Sequence, residues 1–356
     1  MSNKDGMNYA PQGKPNAVVE SGEFSFAAMA LDHGHIYGMC NGLTEAGATL
    51  KWVYDPDPEK VRQFCDKFPG VAVASSEQEI LQDPEVRLVA AAAIPNLRGP
   101  LGVKVMQHGK DYFTDKTPFT TLAQLEEAKA TAAATGRKYM VYYSERLHVE
   151  CAVFAGQLVQ DGAIGRVVQV FGLGPHRLNA PSRPGWFFEK EQYGGILCDI
   201  GSHQIEQFLF YSGASDAQVL HSKVANYNSK DYPELEDYGD ATLRADNGAT
   251  NYFRVDWLTP SGLSTWGDGR TLLLGTDGYI EMRKYVDVAR GGGNKLFLVN
   301  GEGEREIDLQ GKVGYPFFGE LILDCLNRTE IAMTQAHAFK AGELCLRAQE
   351  QAIRIE

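Results

Sequence analysis

The sequence predicts two domains, an α/β domain built on a parallel sheet and then an α+β domain with a large, mostly antiparallel open sheet. Its 356 residues suggest two units, since a domain averages roughly 150 residues. In the first third, short apolar segments alternate with helix-like segments, which is typical of βαβ units. Beyond residue 165, strand-like segments meet at Asn-Gly and Asp-Gly turns, which favour antiparallel hairpins.

The elements of the first domain follow one another in a regular order. Apolar strands are predicted at residues 24–30, 50–55, 87–93, 111–115 and 137–144. Helix signals lie between them: a proline in the first turn of 58–68, and a capping box, Thr121-x-x-Gln124, that opens a helix ending at Gly136. This alternation of strands and helices predicts a parallel sheet.

The second domain reads as a series of hairpins. We predict them at 243–258, 272–284 and 295–309, each with an Asn-Gly or Asp-Gly turn. The glycines at 291–293 are expected to form a flexible turn rather than a phosphate cradle. The acidic stretch 231–240 is most simply a solvated connection, with a metal or partner role as the alternative.

The composition excludes several classes of protein. Asp plus Glu (46) against Lys plus Arg (34) gives a formal charge of −12, which argues against nucleic acid and against an anionic membrane surface. There is no apolar run long enough to span a membrane and no hydrophobic core of a signal peptide. The six cysteines are scattered, so we expect buried reduced thiols and a cytoplasmic location. Residues 1–20 are expected to form a flexible N-terminal arm.

The turn after the first strand is a candidate phosphate-binding turn with few glycines. It reads Ala30-Leu31-Asp32-His33-Gly34-His35, in which the G-x-G-x-x-G pattern is absent and Asp32 adds negative charge. Asp55 ends the second strand, where a carboxylate can accept hydrogen bonds from an adenosine ribose, although it could also cap the next helix. His33-x-His35 could share a metal ion, but no third ligand pattern is evident, so no metal is predicted.

Two further motifs carry groups suited to proton transfer at a carbon–oxygen bond. Asp115-Lys116-Thr117-Pro118 ends a predicted parallel strand, where ligands of open α/β sheets bind, and its lysine can stabilise developing negative charge. In the segment 194–203, Asp199 and His203 are four residues apart and share one face if the segment is helical. His203 could then exchange a proton with an alcohol or a ketone. The alternatives are a surface lysine and a satisfied core histidine.

Taken in order, these motifs resemble the Gfo/Idh/MocA family of NAD(P)-dependent oxidoreductases over nearly the whole chain. The resemblance rests on the strand–turn–helix, Asp55, Ile94-Pro95-Asn96, D-K-T-P and GGILCDIGSHQIEQ (194–207). It implies an N-terminal Rossmann domain (21–143), a substrate and oligomerisation domain (144–333), and a C-terminal helix (334–356) that packs back on the Rossmann domain. Ala30 and Asp32 replace two glycines of the family turn, and Thr117 loosens the family's E-K-P motif.

The resemblance also implies roles for individual residues. Lys116 matches the lysine that contacts the nicotinamide ribose and the reacting oxygen, Asp199 the substrate-binding acid, and His203 the proton-transfer histidine. The residues expected to bind the cofactor are Leu31, Asp32, His33, Gly34, His35, Ile36, Asp55, Pro95, Asn96 and Lys116. The residues expected to contact substrate are Tyr143, His176, Arg177, Trp186, Tyr193, Asp199 and His203.

We therefore expect an enzyme that transfers a hydride between NAD, in preference to NADP, and a secondary alcohol of a sugar, glycoside or cyclitol. A sheet with one uncovered face predicts a homodimer or homotetramer. Two alternatives stay open at this point. One is NAD-dependent, redox-neutral cleavage of a glycosidic bond, and the other is a non-catalytic sensor of sugars or dinucleotides, which the glycine-poor turn would favour.

Overall fold

The structure is a computed structural model that describes residues 6–356. The chain divides into two compact units. The parallel-sheet unit comprises Met7–Tyr142 and Tyr315–Phe339, and the nine-strand unit comprises Tyr143–Gly314 and Lys340–Glu356 together with Gly6. The predicted fold class is confirmed by the sheet topology of each unit.

The parallel-sheet unit contains six strands in the order β3-β2-β1-β4-β5-β6, all parallel. The strands are β1 (Ser25–Met29), β2 (Thr49–Tyr54), β3 (Ala72–Val73), β4 (Val86–Ala91), β5 (Asp111–Asp115) and β6 (Tyr139–Tyr142). The helices between them are α1 (His35–Glu45), α2 (Pro58–Lys67), α3 (Glu77–Gln82), α4 (Pro95–Gln107) and α5 (Leu122–Thr135). This doubly wound order binds ligands beyond the carboxyl ends of its strands.

The nine-strand unit has the strand order β14-β13-β12-β11-β7-β10-β9-β8-β15. All neighbouring pairs are antiparallel except β7 with β10 and β8 with β15. In chain order, the remaining elements are α6 (Ser144–Leu147), α7 (Glu150–Gln160), β7 (Val167–Pro175), α8 (Lys190–Tyr193), α9 (Ile196–Asp199), α10 (Gly201–Ser212), β8 (Ala217–Ala225), β9 (Tyr238–Ala245), β10 (Thr250–Asp256), β11 (Arg270–Gly275), β12 (Gly278–Arg283), β13 (Lys295–Asn300), β14 (Gly303–Asp308), α11 (Pro316–Asn327), α12 (Gln335–Glu350) and β15 (Ile353–Ile355). Of these, α11 belongs to the parallel-sheet unit, and α12 crosses from that unit to the other at residue 340.

Local sequence signals explain where these elements begin and turn. The Thr121 side chain accepts the Gln124 N–H (3.3 Å), and Gly136 ends α5 in the left-handed conformation (φ 65°), as the capping box predicts. The three predicted hairpins are confirmed as the pairs β9–β10, β11–β12 and β13–β14. Along β11 buried and exposed residues alternate, because one face of the sheet lies on the core and the other faces away from it.

The N-terminal segment differs from the expected flexible arm. Residues 1–5 of the predicted arm lie outside the described residues, but 7–18 run along α1. Glu45 anchors this segment, because its carboxylate accepts the Gly13 N–H (2.9 Å) and its carbonyl oxygen accepts the Asn16 N–H (2.9 Å). The Val18 N–H donates to the carbonyl oxygen of Ala46 (3.0 Å). The sequence gives little warning of this, since the segment is polar and its bonds are made by backbone.

The acidic stretch 231–240 is only partly a solvated connection, and for its second half that prediction was wrong. Glu236 and Asp237 are fully buried, and Asp240 is 3% exposed within β9. Asp237 accepts two backbone N–H groups, from Tyr227 and Asn228 (both 2.7 Å). Glu236 and Asp237 accept backbone N–H groups of other segments, and Asp240 accepts from the Tyr238 hydroxyl and pairs with Lys223, so each buried carboxylate has partners.

Two further features bear on the expected class of protein. Within residues 6–356, no helix combines the length and apolar character needed to cross a membrane. All six cysteines are unbridged; five are buried and Cys65 is half-buried. Burial raises the pKa of Cys151 to about 12, so that thiol is protonated at neutral pH.

Candidate functional site

The two glycines at 194–195 form a turn from which α9 begins abruptly. Both have positive φ (87° and 94°), a conformation that other residues rarely adopt. The first N–H groups of α9 then find acceptors on distant segments: Ile196 donates to Glu236 Oε2 (3.0 Å) and Leu197 to Gln349 Oε1 (3.0 Å). Because these bonds satisfy N–H groups that a helix start leaves unpaired, the turn and helix are held in one position.

Asp199 ends α9, and His203 lies in the first turn of α10. Ile200, between the two helices, keeps helical backbone angles (φ −77°, ψ −36°), and the His203 N–H donates to its carbonyl oxygen (3.2 Å). A spacing of four along this nearly continuous helix puts both side chains on one face. His203 is 2% exposed and Asp199 is half-buried. An imidazole beside a carboxylate in this arrangement can take up and return a proton.

His176 and Arg177 follow β7 and contact the loop over residues 257–266. The His176 ring lies 5.3 Å from that of Trp257 and 4.4 Å from that of Trp266, measured between centroids. Arg177 Nη2 donates to the carbonyl oxygens of residues 260 and 263 (2.9 and 2.7 Å). His176 is therefore part of an aromatic cluster, whereas Arg177 holds the loop in place.

The other predicted substrate residues have different surroundings. The Tyr193 hydroxyl donates to the Glu234 carbonyl oxygen (3.1 Å) and accepts the Glu236 N–H (3.0 Å), so it ties two segments together. Tyr143 is fully buried, and its hydroxyl has no hydrogen-bond partner within residues 6–356. Trp186 is half-buried in the 3-10 helix Gly185–Phe188.

In the parallel-sheet unit, the turn between β1 and α1 joins a buried cluster at the end of β5. Asp115 lies at its centre: His35 Nδ1 is 2.9 Å from Oδ1, and His33 Nδ1 is 3.3 Å from Oδ2. Arg98 of α4 pairs with the same carboxylate (3.2 Å) and donates to the carbonyl oxygen of Lys116. All five residues are at most 8% exposed.

The charges of this cluster balance one another. Burial disfavours ionised Asp115, but His35 and the Arg98 guanidinium hold its pKa below the usual range. Burial, reinforced by His35, lowers the pKa of His33 well below its ordinary value, so this imidazole is neutral at pH 7. The cluster thus contains an ionised carboxylate whose counter-charge is a buried guanidinium.

The same cluster has residue types that bind transition metals. Ligand atoms of His33, His35 and Asp115 lie within 4.8 Å of one another. The Arg98 guanidinium, however, puts a fixed positive charge 3.2 Å from the carboxylate, next to any cation that would bind there. The arrangement is better explained as a hydrogen-bonded support for the end of β5.

Two groups at the carboxyl ends of the parallel strands fit a dinucleotide. Asp55, just after β2, accepts the Leu31 N–H with Oδ2 (2.7 Å) and the Asp57 N–H with Oδ1 (2.9 Å), which leaves each oxygen a further lone pair. Asn96, at the start of α4, has a buried Oδ1 with no hydrogen-bond partner in the described part of the chain. These positions suit the adenosine ribose and the opposite end of the ligand.

The start of α1, where a pyrophosphate would rest, is different. The N–H groups of residues 35–37 already donate within the turn, to His33 Nδ1, the His33 carbonyl oxygen and the Gly34 carbonyl oxygen. Ala30 has φ 52° at the position where the family turn has glycine. The amides at 35–37 are therefore already paired within the turn.

The N-terminal segment covers this same turn. A Cβ added at Gly34 would lie 2.5 Å from the Met7 carbonyl oxygen and 2.9 Å from Asn8 Oδ1. The glycine at position 34 is therefore required by close contact with the chain's own N-terminal segment. The dinucleotide fit holds at both ends of the site and is incomplete at its centre.

The remaining predicted cofactor residues are mostly buried. Leu31 is 8% exposed, Ile36 is fully buried and Pro95 is buried in the first turn of α4. Asp32 pairs with Lys60 (2.6 Å), so its negative charge at the turn is neutralised. Of this set, Leu31 donates its backbone N–H to Asp55, and the Ile36 side chain packs in the hydrophobic core.

Three polar residues at these sites were not predicted as site residues. Arg98 stands in a helix start with apolar neighbours, so an isolated charge was the available signal there. Glu145 lies between Ser144 and Arg146, and its local sequence gives no such signal. Lys284 is 1% exposed and pairs with Glu145 across 139 positions of sequence. No local pattern could have linked that pair.

Comparison with known proteins identifies the family. A model described as "Oxidoreductase family, NAD-binding Rossmann fold" matches residues 33–143, and one described as "GFO/IDH/MocA C-terminal domain" matches 153–281. A solved structure from Erwinia carotovora atroseptica is 51% identical, covers 94% of this chain and 100% of its own, and superposes with a TM-score of 0.91.

Curated relatives with named activities are more distant. Scyllo-inositol 2-dehydrogenase (NAD(+)) of Bacillus subtilis is 25% identical over 240 residues, which is 66% of each protein. D-xylose dehydrogenase of Paenarthrobacter nicotinovorans is 24% identical over 208 residues, 57% of this chain and 52% of that protein. The match thus spans about half to two thirds of the length of these two relatives.

Proposed function

We propose that this chain, which belongs to the GFO/IDH/MocA family of oxidoreductases, transfers a hydride between NAD and a secondary alcohol of a sugar, glycoside or cyclitol. The observation that carries the proposal is the Asp199–His203 face, built by the 194–195 turn and fixed by two distant hydrogen bonds. An acid–base pair held this firmly is what proton exchange with a hydroxyl requires.

In this proposal, His203 takes the proton of the substrate hydroxyl during oxidation and returns it during reduction. Asp199, half-buried on the same helical face, binds a substrate hydroxyl and orients the imidazole. The ammonium group of Lys116 stabilises negative charge that develops on the reacting oxygen. Arg98 and Asp115 hold Lys116 through its carbonyl oxygen and its N–H.

The chain's own residues would hold the cofactor at two positions. Asp55 accepts from the adenosine ribose and repels a 2′-phosphate, which favours NAD over NADP. Asn96 Oδ1 and Lys116 serve the nicotinamide end. When bound, nicotinamide supplies the hydride acceptor or donor, and the protein supplies orientation and charge.

The substrate class follows from the relatives and from the aromatic cluster. The named relatives act on xylose and scyllo-inositol, which are both rich in hydroxyl groups. His176, Trp257 and Trp266 are at most 7% exposed, so in this proposal their cluster supports the wall of the sugar site from behind.

The test is a steady-state assay of NAD reduction with a panel of pentoses, hexoses, glycosides and inositols, with product identification. Oxidation of at least one substrate to a ketone or lactone, with stoichiometric NADH, is the expected result. Release of an aglycone without NADH would replace the proposal with redox-neutral cleavage. Saturable NAD and sugar binding without any product would replace it with a sensor.

We further propose that the chain forms a homodimer or homotetramer through the outer face of the nine-strand sheet. Leu272, Leu274 and Tyr279 expose 38%, 47% and 44% of their surface there. Light scattering should give a multiple of the 39.2 kDa chain mass, and Leu274→Glu with Tyr279→Lys should give the monomer. The matched control, Ile331→Glu, charges an apolar residue that is 67% exposed in the other unit and should leave the mass unchanged.

A further inference from the structure

A buried ion pair lies under the helix that carries His203. Lys284 Nζ, just after β12, is 2.8 Å from Glu145 Oε2 on α6 and 2.7 Å from Gln207 Oε1 on α10. Gln204 Nε2 also donates to Glu145 Oε2 (3.1 Å). Glu145 and Lys284 are each 1% exposed, and Glu145 Oε1 has no hydrogen-bond partner within residues 6–356.

The contacts of this pair with α10 lie directly after His203. Gln204 is the next residue of α10, and Gln207 is one turn further on, on the same helical face as His203. Gln207 Nε2 also donates to the His203 carbonyl oxygen (2.8 Å). Burial disfavours the Glu145 charge, but Lys284, followed by His203 and His176, lowers its pKa to about 2. At neutral pH Glu145 is therefore ionised, paired with Lys284, and bonded to α10 at Gln204, the residue next to His203.

Other charged groups near His203 are already paired or belong to the site described above. Arg146 of α6 pairs with Glu206 of α10 (Nε to Oε1, 2.7 Å), and its guanidinium also covers the Phe210 ring at 3.9 Å. Arg254 pairs with Asp256 at the end of β10. The titratable and charged groups on the elements packed around α10 are Glu145 and Arg146 (α6), Glu150 and Cys151 (α7), His176 (after β7), Cys198 and Asp199 (α9), Glu206 and Tyr211 (α10), Tyr238, Asp240 and Arg244 (β9), Tyr252, Arg254 and Asp256 (β10) and Lys284 (after β12).

The presence of a buried ion pair is not explained by a gain in folding stability. Replacing such a pair with apolar residues of similar volume is often neutral or stabilising, because desolvation of both charges is costly. Here both charges also bond to the two glutamines that follow His203 on α10, so their location is tied to that helix. A role in setting the proton affinity of the imidazole accounts for the burial.

We propose that Glu145 is a positioning residue for His203, whose carboxylate stabilises the protonated imidazole while Lys284 and Gln207 hold the carboxylate in place. The proposal rests on the proposed function, in which His203 exchanges the proton. An opposite charge raises the pKa of a histidine. Glu145 thus extends to higher pH the range in which His203 holds a proton for return to a carbonyl oxygen.

The test is an NMR titration of the eight histidines in the folded full-length protein, with His203 assigned by its loss in His203→Ala. Glu145→Gln should move the His203 titration about one pH unit lower. Lys284→Met should move it higher, because the imidazolium becomes the nearest cation to Glu145. Opposite shifts from the two halves of one pair are not expected from general loosening of the fold.

The matched control is Glu150→Gln. Glu150 is a carboxylate of the same unit, 3% exposed, that accepts the N–H groups of Val313 and Gly314 (2.8 and 2.9 Å). It should lower the melting temperature and leave the His203 titration unchanged.

A His203 titration that stays at its wild-type position in folded Glu145→Gln, or that moves the same way in both variants, overturns the inference. If one variant does not fold, the sign of the shift in the other decides. The titration needs no substrate, so the inference can hold even if His203→Ala proves active and the proposed function fails. With a substrate in hand, the acid limb of kcat should move in the same direction as the titration.

Discussion

Two turns of this molecule use similar residues for different ends. The turn before α1, and the α9–α10 segment that follows the 194–195 turn, each carry a histidine and a carboxylate near the start of a helix. At the first, His35 and His33 face Asp115, whose charge is balanced by Arg98. At the second, Asp199 and His203 share a helical face, and the nearby buried charges belong to other residue pairs.

The difference lies in what surrounds each histidine. At α1 the local amides donate inside the turn and the N-terminal segment lies against Gly34, so the polar groups satisfy one another. In the second segment, distant side chains fix the backbone at the start of α9. A histidine beside a carboxylate is thus a candidate for catalysis only where neighbouring groups fix the backbone and do not occupy the ring nitrogens and the carboxylate oxygens.

The largest effect that tests this comparison is loss of the His203 imidazole. Positioned acid–base catalysis contributes 10²–10⁴-fold, so His203→Ala should lower kcat by about that factor while NAD affinity barely changes. His221→Ala is the control, since His221 lies in the same unit and is exposed. Single-turnover hydride transfer, NAD titration and melting temperature should be measured together. A folded His203→Ala variant with a near wild-type rate would contradict the assignment.

Substitutions in the Asp115–Arg98 cluster before α1 should instead lower the free energy of unfolding. Arg98→Met leaves Asp115 as a buried charge that has lost its fixed counter-ion, which typically costs about 3–5 kcal/mol. Arg62→Met removes an exposed guanidinium paired with Glu59 and should cost much less stability than Arg98→Met, because solvent screens an exposed pair. Urea unfolding of both variants measures the difference. Equal losses would show that the Arg98 pair does not hold the turn.

The pH dependence of the folding stability tests the same comparison, because the Asp115 pKa shift predicts in which direction stability changes with pH. The pKa of Asp115 is lower in the folded protein than in an unfolded chain. Its stabilisation is therefore complete above the unfolded value, about 3.9, and is lost as the pH falls toward the folded value. Arg98→Met should flatten this acid-side slope in urea titrations between about pH 5 and 3.

Much of the fold could be predicted because its signals are local. The hairpin turns, the Thr121–Gln124 capping box and the period of the early strands each act within a few residues. The shared face of Asp199 and His203 could also be predicted, because it follows from a spacing of four residues in a helix.

What could not be predicted depends on partners far apart in sequence. Glu145 and Lys284 are 139 residues apart, and Leu197 meets Gln349 across 152. The acidic stretch looked solvated because composition alone does not show that Asp237 accepts N–H groups from another segment. Buried polar groups follow from hydrogen-bond satisfaction, which is a property of the fold.

A smaller effect concerns cofactor choice on the α1 side. Asp55 should make NAD bind about tenfold tighter than NADP, and Asp55→Asn should narrow that ratio because the amide no longer repels the 2′-phosphate. Asp57→Asn is the matched control: it keeps an N-cap for α2, where Asp57 accepts the Glu59 N–H (2.9 Å). Calorimetry with both nucleotides decides, and a wild-type ratio in folded Asp55→Asn would remove Asp55 from this role.

The smallest expected effect comes from the segment that covers the turn. Deletion of residues 1–12 removes Met7 and Asn8 from the start of α1 and keeps the contacts of Gly13, Asn16 and Val18 with the end of that helix. If binding requires the segment to move, the apparent NAD affinity is reduced by the fraction of molecules in which the turn is covered. The deletion should therefore tighten NAD binding by about threefold and speed hydrogen exchange of the N–H groups at 35–37.

The paired control is Asn8→Ala, which shortens one side chain and leaves the backbone of the covering segment in place, so it should change NAD affinity less than the deletion does. Weaker binding after the deletion would instead mean that the segment contributes contacts to the cofactor, and unchanged binding together with unchanged exchange would mean that the turn takes no part in holding it.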